Sequence, residues 1–293
     1  MKGYLFPGQG SQFSGMGKDL YKTNKGNTLF KEANEILNFD ISKVMFDGSK
    51  EDLKQTNVTQ PAIFIHSVVL SKLIGDSFKP DMVAGHSLGE FSALAATGAI
   101  SFKDGLSLVK LRAEAMKEAC DFKSGTMAAV LGMDDEIVEK ICLETEGEVI
   151  TANYNCPGQL VISGEKLAVE KACETLKKYG AKRAIILPVG GAFHSPLMEL
   201  AKGKLSKAIN DVSFIPPYCP IYQNVSSFPT KDPQIIKTNL ISQLTAPVKW
   251  TKIIKNMIDD GVTSFTEVGP GSVLQGLCKK IESNCKTDSA SII

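Results

Sequence analysis

The pentapeptide Gly85-His86-Ser87-Leu88-Gly89 constrains this chain more than any other stretch. It follows the short apolar segment Asp81-Met82-Val83-Ala84 and precedes a run of small and apolar residues, 90–100, that reads as a helix. Strand, Gly-x-Ser-x-Gly, helix is the pattern of a nucleophile elbow. Its turn must be sharp enough for the serine Oγ to stand clear of the sheet top. Side chains two residues to either side would collide there, so both positions are glycine. The helix that follows aims its first N–H groups at the same place, where they can hold a developing oxyanion. Gly-x-Ser-x-Gly also arises by chance in loops; the strand–turn–helix setting is what favours a nucleophilic serine.

At 293 residues the chain is long for one compact domain, which suggests one large core with an inserted lobe. Hydrophobic residues, at 43%, suffice for a substantial core, and a formal charge of +1 argues against bulk binding to nucleic acid or a membrane surface. Seven scattered cysteines without a Cys-x-x-Cys fit free thiols in a reducing compartment, with no disulfide or metal framework. Only Gly3 to Phe6 separate Lys2 from Pro7, too little for a signal-peptide core, and no apolar run approaches a membrane span. The expectation is a soluble, cytoplasmic protein.

Along the chain, Gly3–Phe6 reads as a strand leading into the glycine-rich loop Gly8-Gln9-Gly10-Ser11-Gln12. That loop fails the dinucleotide fingerprint, because Phe13 occupies its last glycine position, and it lacks a phosphate-binding lysine. It is equally a plain turn or a source of backbone N–H groups and the Gln9 amide at the sheet top. Residues 28–38, 59–74 and 102–118 read as helices. His66, alone within the second, has no assigned role. Arg112, in the third, has two readings: a surface arginine paired with Glu114 or Glu118, which its local sequence favours, or a guanidinium fork for a carboxylate. Met116, one turn on, shares its face and serves equally as core filler. From about Ser124 the texture becomes strand (127–131), helix (134–144), strand (149–153), a turn at Asn155-Cys156-Pro157-Gly158, strand (159–163), helix (165–179) and strand (184–189). That β-α-β-β-α-β order is ferredoxin-like and marks 124–190 as a separate lobe. Its Lys177, Lys178, Lys182 and Arg183 form a solvated face or one that touches an acidic partner.

The loop Gly190-Gly191-Ala192-Phe193-His194-Ser195-Pro196 returns to the main body. If Ser87 needs a base, His194 is the better candidate, since His86 is locked inside the elbow; Ser before His is the order used by α/β-hydrolase-like proteins. Pro247–Ile258 reads as a helix with Trp250 in the core, 263–268 as a strand, and a helix begins at Ser272. Lys286–Ile293 reads as disordered.

Six segments then stand in a recognisable order and spacing: Phe6–Gln12, Gly85–Glu90, Leu111-Arg112, Asn155–Gln159, Gly191–Pro196 and Glu267–Gly271. Together they resemble the malonyl-CoA:acyl carrier protein transacylases of bacterial type II fatty acid synthesis, over nearly the whole chain. The resemblance implies an α/β fold: an α/β-hydrolase-like core (1–123 and 191–293) with a ferredoxin-like insertion (124–190). It implies Ser87 as the nucleophile, His194 as the base, and the backbone N–H groups of Gln9 and Leu88 as the oxyanion hole. Arg112 becomes the residue that binds the malonyl carboxylate, which reverses the surface reading. The Gln243 main-chain carbonyl orients the histidine, so the family works with a dyad and no essential carboxylate. Met116 and Asn155 match positions beside the site. Phe193 departs from the small residue found in many bacterial members and resembles malonyl-selective domains of modular synthases, where bulk is associated with excluding α-substituted units. The implied substrates are malonyl-CoA and a phosphopantetheinylated acyl carrier protein, with no bound cofactor or metal. A thioesterase or esterase on the same dyad, and a non-catalytic carrier-binding scaffold, are the competing expectations.

Overall fold

The computed structural model describes residues 1–292. Its first part runs β1 (Lys2–Phe6), α1 (Lys18–Tyr21), α2 (Asn24–Leu37), α3 (Ile41–Asp47), α4 (Thr56–Ile74), β2 (Met82–Gly85), α5 (Gly89–Ala96) and α6 (Phe102–Phe122). There follow β3 (Gly125–Leu131), α7 (Asp135–Glu144), β4 (Val149–Cys156), β5 (Gln159–Glu165), α8 (Lys166–Lys178) and β6 (Arg183–Ile186). The last part holds α9 (Glu199–Asp211), β7 (Ile221–Tyr222), β8 (Pro229–Thr230), α10 (Pro233–Gln243), α11 (Trp250–Asp259), β9 (Ser264–Glu267), α12 (Val273–Ile281) and β10 (Lys286–Ser289).

The fold is α/β with two sheets. The larger has the order β10-β9-β1-β2-β7-β8, parallel except for β8. Its central strands are covered on both faces, which is why Gly3–Phe6 and Met82–Gly85 are buried without a polar alternation. Successive side chains still go to opposite sides. Tyr4, Phe6 and Val83 join α4, α5 and α6 in one core, whereas Leu5, Ala84 and Tyr222 join Trp250, Ile253 and Met257 of α11 and Leu274 of α12 in another. The smaller sheet, order β4-β5-β3-β6, is antiparallel. Ala128, Val130, Leu160 and Ile162 pack beneath α7 and α8, while Met127 and Val161 point the other way, into the main core. Hydrogen bonds tie this sheet to the main body, among them Tyr154 N–H to Val248 C=O (2.9 Å), Val248 N–H to Ala152 C=O (2.8 Å) and Thr251 Oγ1–H to Tyr154 C=O (3.0 Å).

Three sequence expectations need correction. Lys286–Ser289 is a strand, not disordered; it pairs in parallel with β9, and Ile293 lies outside the described residues. A short, polar edge strand carries no hydrophobic pattern to read. The strand β4 runs through Asn155 and Cys156, so the turn is confined to Pro157-Gly158, with Gly158 at φ 71°. One segment, Thr56–Ser77, is long and apolar enough to cross a membrane, contrary to expectation; its most apolar 18 residues have a mean hydropathy of 1.3, and 78% of them are buried inside the fold. Helix α4 is apolar nearly all round because protein surrounds it.

Candidate active site

Three neighbouring parallel strands deliver the site at their C-terminal ends, where open α/β sheets bind ligands. β1 leads to Gln9, β2 to the elbow and β7 to Asn224. In the elbow, Ser87 adopts φ 52°, a left-handed conformation that is strained for a non-glycine residue. The flanking glycines are sterically required. A Cβ on Gly85 would lie 1.9 Å from the Gly89 carbonyl carbon, and one on Gly89 would lie 2.1 Å from the Phe6 carbonyl oxygen.

His194 sits on the loop before α9, also at a positive φ, 60°. Ser195 fixes the loop by donating to Ala192 C=O (2.7 Å). Ser87 Oγ and His194 Nε2 are 2.8 Å apart, and His194 Nδ1 is 2.9 Å from the Gln243 carbonyl oxygen. A carbonyl can only accept, so Nδ1 carries the proton and Nε2 keeps a lone pair facing the Ser87 hydroxyl. Gln243 is the last residue of α10, where helix carbonyls lack intrahelical partners and carry partial negative charge. That helix end therefore faces the His194 ring with an electronegative carbonyl. Burial and the nearby Arg112 cation push the His194 pKa down to about 3, so the free site holds a neutral base.

Arg112 is buried, with 1% of its surface exposed, and reaches the site from the middle of α6. Nη1 donates to Gln60 Oε1 (2.6 Å); Nη2 donates to Ser87 Oγ (3.1 Å) and Gln243 Oε1 (3.2 Å). Its guanidinium also lies 5.9 Å from the centre of the Phe91 ring. The surface pairing with Glu114 or Glu118 is not formed; Glu118 pairs with Lys204. Burial lowers the Arg112 pKa only to about 10, so it stays a cation. Its nearest acid, Glu90, is 1% exposed, and burial raises that pKa to about 8. Glu90 is therefore mostly neutral at pH 7, and the site keeps a positive charge that no carboxylate cancels.

These groups line a cavity of about 120 Å³ whose polar side is Gln9, Gln60, Ser87, Arg112 and His194 and whose apolar side includes Met116, Met127, Val161, Leu187 and Phe193. Leu88, the residue after the nucleophile, lines it too. A neighbouring cleft of about 270 Å³ shares Gln9, His86, Asn153, Val161 and Leu187 and continues between the two sheets past Pro7, Gln159 and Leu274. Asn155 reaches the site at one remove: its Oδ1 is 2.9 Å from His86 Nε2, and the His86 ring packs 5.4 Å from that of Trp250. Met116 accepts a long hydrogen bond from Gln60 Nε2 (3.4 Å), steadying the amide that holds Arg112.

Sequence reasoning missed Gln60 and Asn224. A Thr59-Gln60 pair at the start of the largely apolar stretch of α4 was the available signal for the first. Gln223-Asn224, directly after a two-residue buried strand, was the signal for the second.

A serine hydroxyl against a neutral imidazole, a buried guanidinium and a narrow cavity are parts that suit acyl transfer from an anionic acyl group. Comparison with known proteins agrees. Residues 3–293 match the family model described as acyl transferase domain. The chain is 46% identical over 293 residues to the malonyl CoA-acyl carrier protein transacylase of Bacillus subtilis, covering 98% of this chain and 92% of that one. It is 41% identical to the protein of that name from Staphylococcus aureus, over 97% of this chain and 94% of the other. An acyl carrier protein S-malonyltransferase from Vibrio cholerae superposes with a TM-score of 0.95 at 40% identity, covering 100% of this chain and 97% of its own. A malonyl-transacylase in complex with its type II PKS acyl-carrier protein does so with a TM-score of 0.94 at 37% identity, over 99% and 94%.

Proposed function

This chain belongs to the acyl transferase domain family, and from that premise we propose that it moves a malonyl group from malonyl-CoA to the phosphopantetheine thiol of an acyl carrier protein. The observation that carries this reading is the buried, uncancelled Arg112 cation 3.1 Å from the nucleophile. It selects an acyl group that ends in a carboxylate.

The reaction is ping-pong. Ser87 Oγ attacks the thioester carbonyl carbon while its proton passes to His194 Nε2. The carbonyl oxygen becomes an oxyanion that the Gln9 and Leu88 backbone N–H groups hold; their place on the cavity wall beside Ser87 supports that role. Collapse breaks the C–S bond, and the CoA sulfur takes the proton from His194. In the second half the carrier thiol gives its proton to His194, attacks the malonyl-serine, and returns Ser87 to the hydroxyl form. Pairing of the malonyl carboxylate with Arg112 orients the ester. Burial chiefly makes His194 a poor base, and pairing offsets the part that the Arg112 charge adds, so the correct substrate raises the basicity its own reaction needs. Phe193 and Met116 on the apolar wall support a preference for an unsubstituted malonyl unit. Asn155 acts through His86. Each step uses only groups of this chain and of its two substrates.

The parallel sheet with its elbow after β2 supports an α/β-hydrolase-like core at 1–123 and 191–293. The order β4-β5-β3-β6 supports a ferredoxin-like lobe at 124–190. The seven free cysteines and the buried α4 fit a cytoplasmic setting. The test is to supply labelled malonyl-CoA with and without phosphopantetheinylated carrier. Label appearing on the carrier, with little free malonate in its absence, supports the transferase. Free malonate released equally fast without carrier makes the protein a thioesterase, and no reaction at all leaves a carrier-binding scaffold.

A further inference from the structure

Asn224 is fully buried at the end of β7, 137 residues from the nucleophile in sequence, and uses every polar group it has. Its side-chain Oδ1 accepts from the Ser87 backbone N–H (2.7 Å), and its Nδ2 donates to the Gly85 carbonyl (2.7 Å). The amide therefore bridges the two sides of the strained turn. Its backbone N–H donates to Glu90 Oε1, and its carbonyl accepts from Lys249 N–H (3.2 Å). Gln243 completes the frame: Nε2 donates to the Ser87 carbonyl (3.0 Å), while the Gln243 main-chain carbonyl holds His194.

A left-handed serine persists only where its surroundings over-determine it. The five-residue elbow cannot satisfy its own Gly85 carbonyl and Ser87 N–H internally, because both face the end of β7. We propose that Asn224 is a positioning residue for this reaction: its amide clamps Gly85 and Ser87 in the turn that aims Oγ at His194, and Glu90 anchors the clamp as a hydrogen-bond acceptor. The proposal rests on the reading of Ser87 as nucleophile. It places the specificity of Asn in its paired donor and acceptor. Aspartate keeps the acceptor for Ser87 N–H but sets a second oxygen against the Gly85 carbonyl, a repulsion relieved only when that oxygen is protonated.

The experiment is single-turnover acylation by malonyl-CoA, read by rapid quench and peptide mass at Ser87, for wild type, Asn224→Ala and Asn224→Asp. Loss of the clamp in Asn224→Ala slows acylation by about a hundredfold, the scale of a small misplacement at a reacting centre. Half-saturation by malonyl-CoA stays within about threefold, since the amide does not face the cavity. Asn224→Asp is slow at about pH 8 and recovers reversibly toward the wild-type rate at about pH 6, as its carboxyl takes a proton. A merely structural role would not give that reversible recovery. Acylation of Asn224→Ala within about threefold of wild type overturns the proposal. So does an Asn224→Asp to wild-type ratio independent of pH, and this isosteric variant decides the matter if Asn224→Ala does not fold. A folded wild-type chain that takes up no malonyl group overturns the parent reading and this one with it.

Discussion

Replacing Arg112 by alanine separates recognition of the acyl carboxylate from the chemistry at Ser87. The guanidinium is buried, Glu90 leaves its charge uncancelled, and Gln60 and Gln243 fix its two terminal nitrogens. A charge-assisted pair truncated in such a desolvated site costs about 2–5 kcal/mol. At about 1.4 kcal/mol per tenfold, malonyl-CoA should lose between about 30-fold and about 4,000-fold in kcat/KM. Acetyl-CoA has no carboxylate to lose. It gains in one respect: burial chiefly depresses the His194 pKa, but removal of the cation relieves the part that Arg112 adds. The variant should therefore transfer acetyl at least as well as the wild type. The assay is kcat/KM for malonyl-CoA and acetyl-CoA with one carrier protein, in both enzymes. A malonyl-to-acetyl ratio unchanged in Arg112→Ala refutes the assignment, whatever the absolute rates.

His194 is already neutral in the free enzyme, so kcat/KM for malonyl-CoA should stay flat from about pH 7 to about pH 5; an acid limb centred on the ordinary histidine value would contradict its depressed pKa of about 3. Stability should carry the opposite signature at His66, whose buried ring titrates at about 4 with Nδ1 unpartnered. Below about pH 6.5 the unfolded chain binds a proton that the folded one refuses, so His66 contributes a loss of stability as pH falls toward about 4. His66→Leu removes that contribution, and its urea-melt advantage over wild type should grow on acidification by up to about 1.4 kcal/mol per pH unit; a constant difference would sink the argument. Gly89→Ala drives a Cβ into the Phe6 carbonyl and should cost roughly 3 kcal/mol or more, measured by denaturant unfolding, whereas a wild-type midpoint would mean the elbow is not tight.

The parts of this molecule that sequence made legible are those whose constraint is local. Gly85 and Gly89 are dictated by atoms within the turn and by Phe6, so the elbow could be read before its surroundings were known. His194 was legible by elimination, with three histidines in the chain and one of them inside the elbow. Arg112 was not, because its burial depends on α4 and α10 arriving with Gln60 and Gln243, and neither helix is near it in sequence. Its role came from resemblance, as did that of the Gln243 carbonyl, since a main-chain group leaves no mark on residue type. Asn224 left only the weak signal of a polar pair after a short apolar strand, because its partners, Gly85, Ser87, Glu90 and Lys249, are assembled by sheet topology. The polar edge strand β10 lacks a pattern to read, whereas the largely apolar α4 reads correctly as a buried helix although it is long and apolar enough to cross a membrane.

The central claim is that Ser87 carries the acyl group between two thiols. Intact-protein mass spectrometry after brief exposure to malonyl-CoA tests it most directly, followed by addition of phosphopantetheinylated carrier protein, with Ser87→Ala alongside. The account predicts a gain of one malonyl group in the wild type, none in the variant, and movement of that mass onto the carrier. A malonyl adduct that persists in Ser87→Ala, or one that decays to free malonate no faster with carrier than without it, would contradict the account.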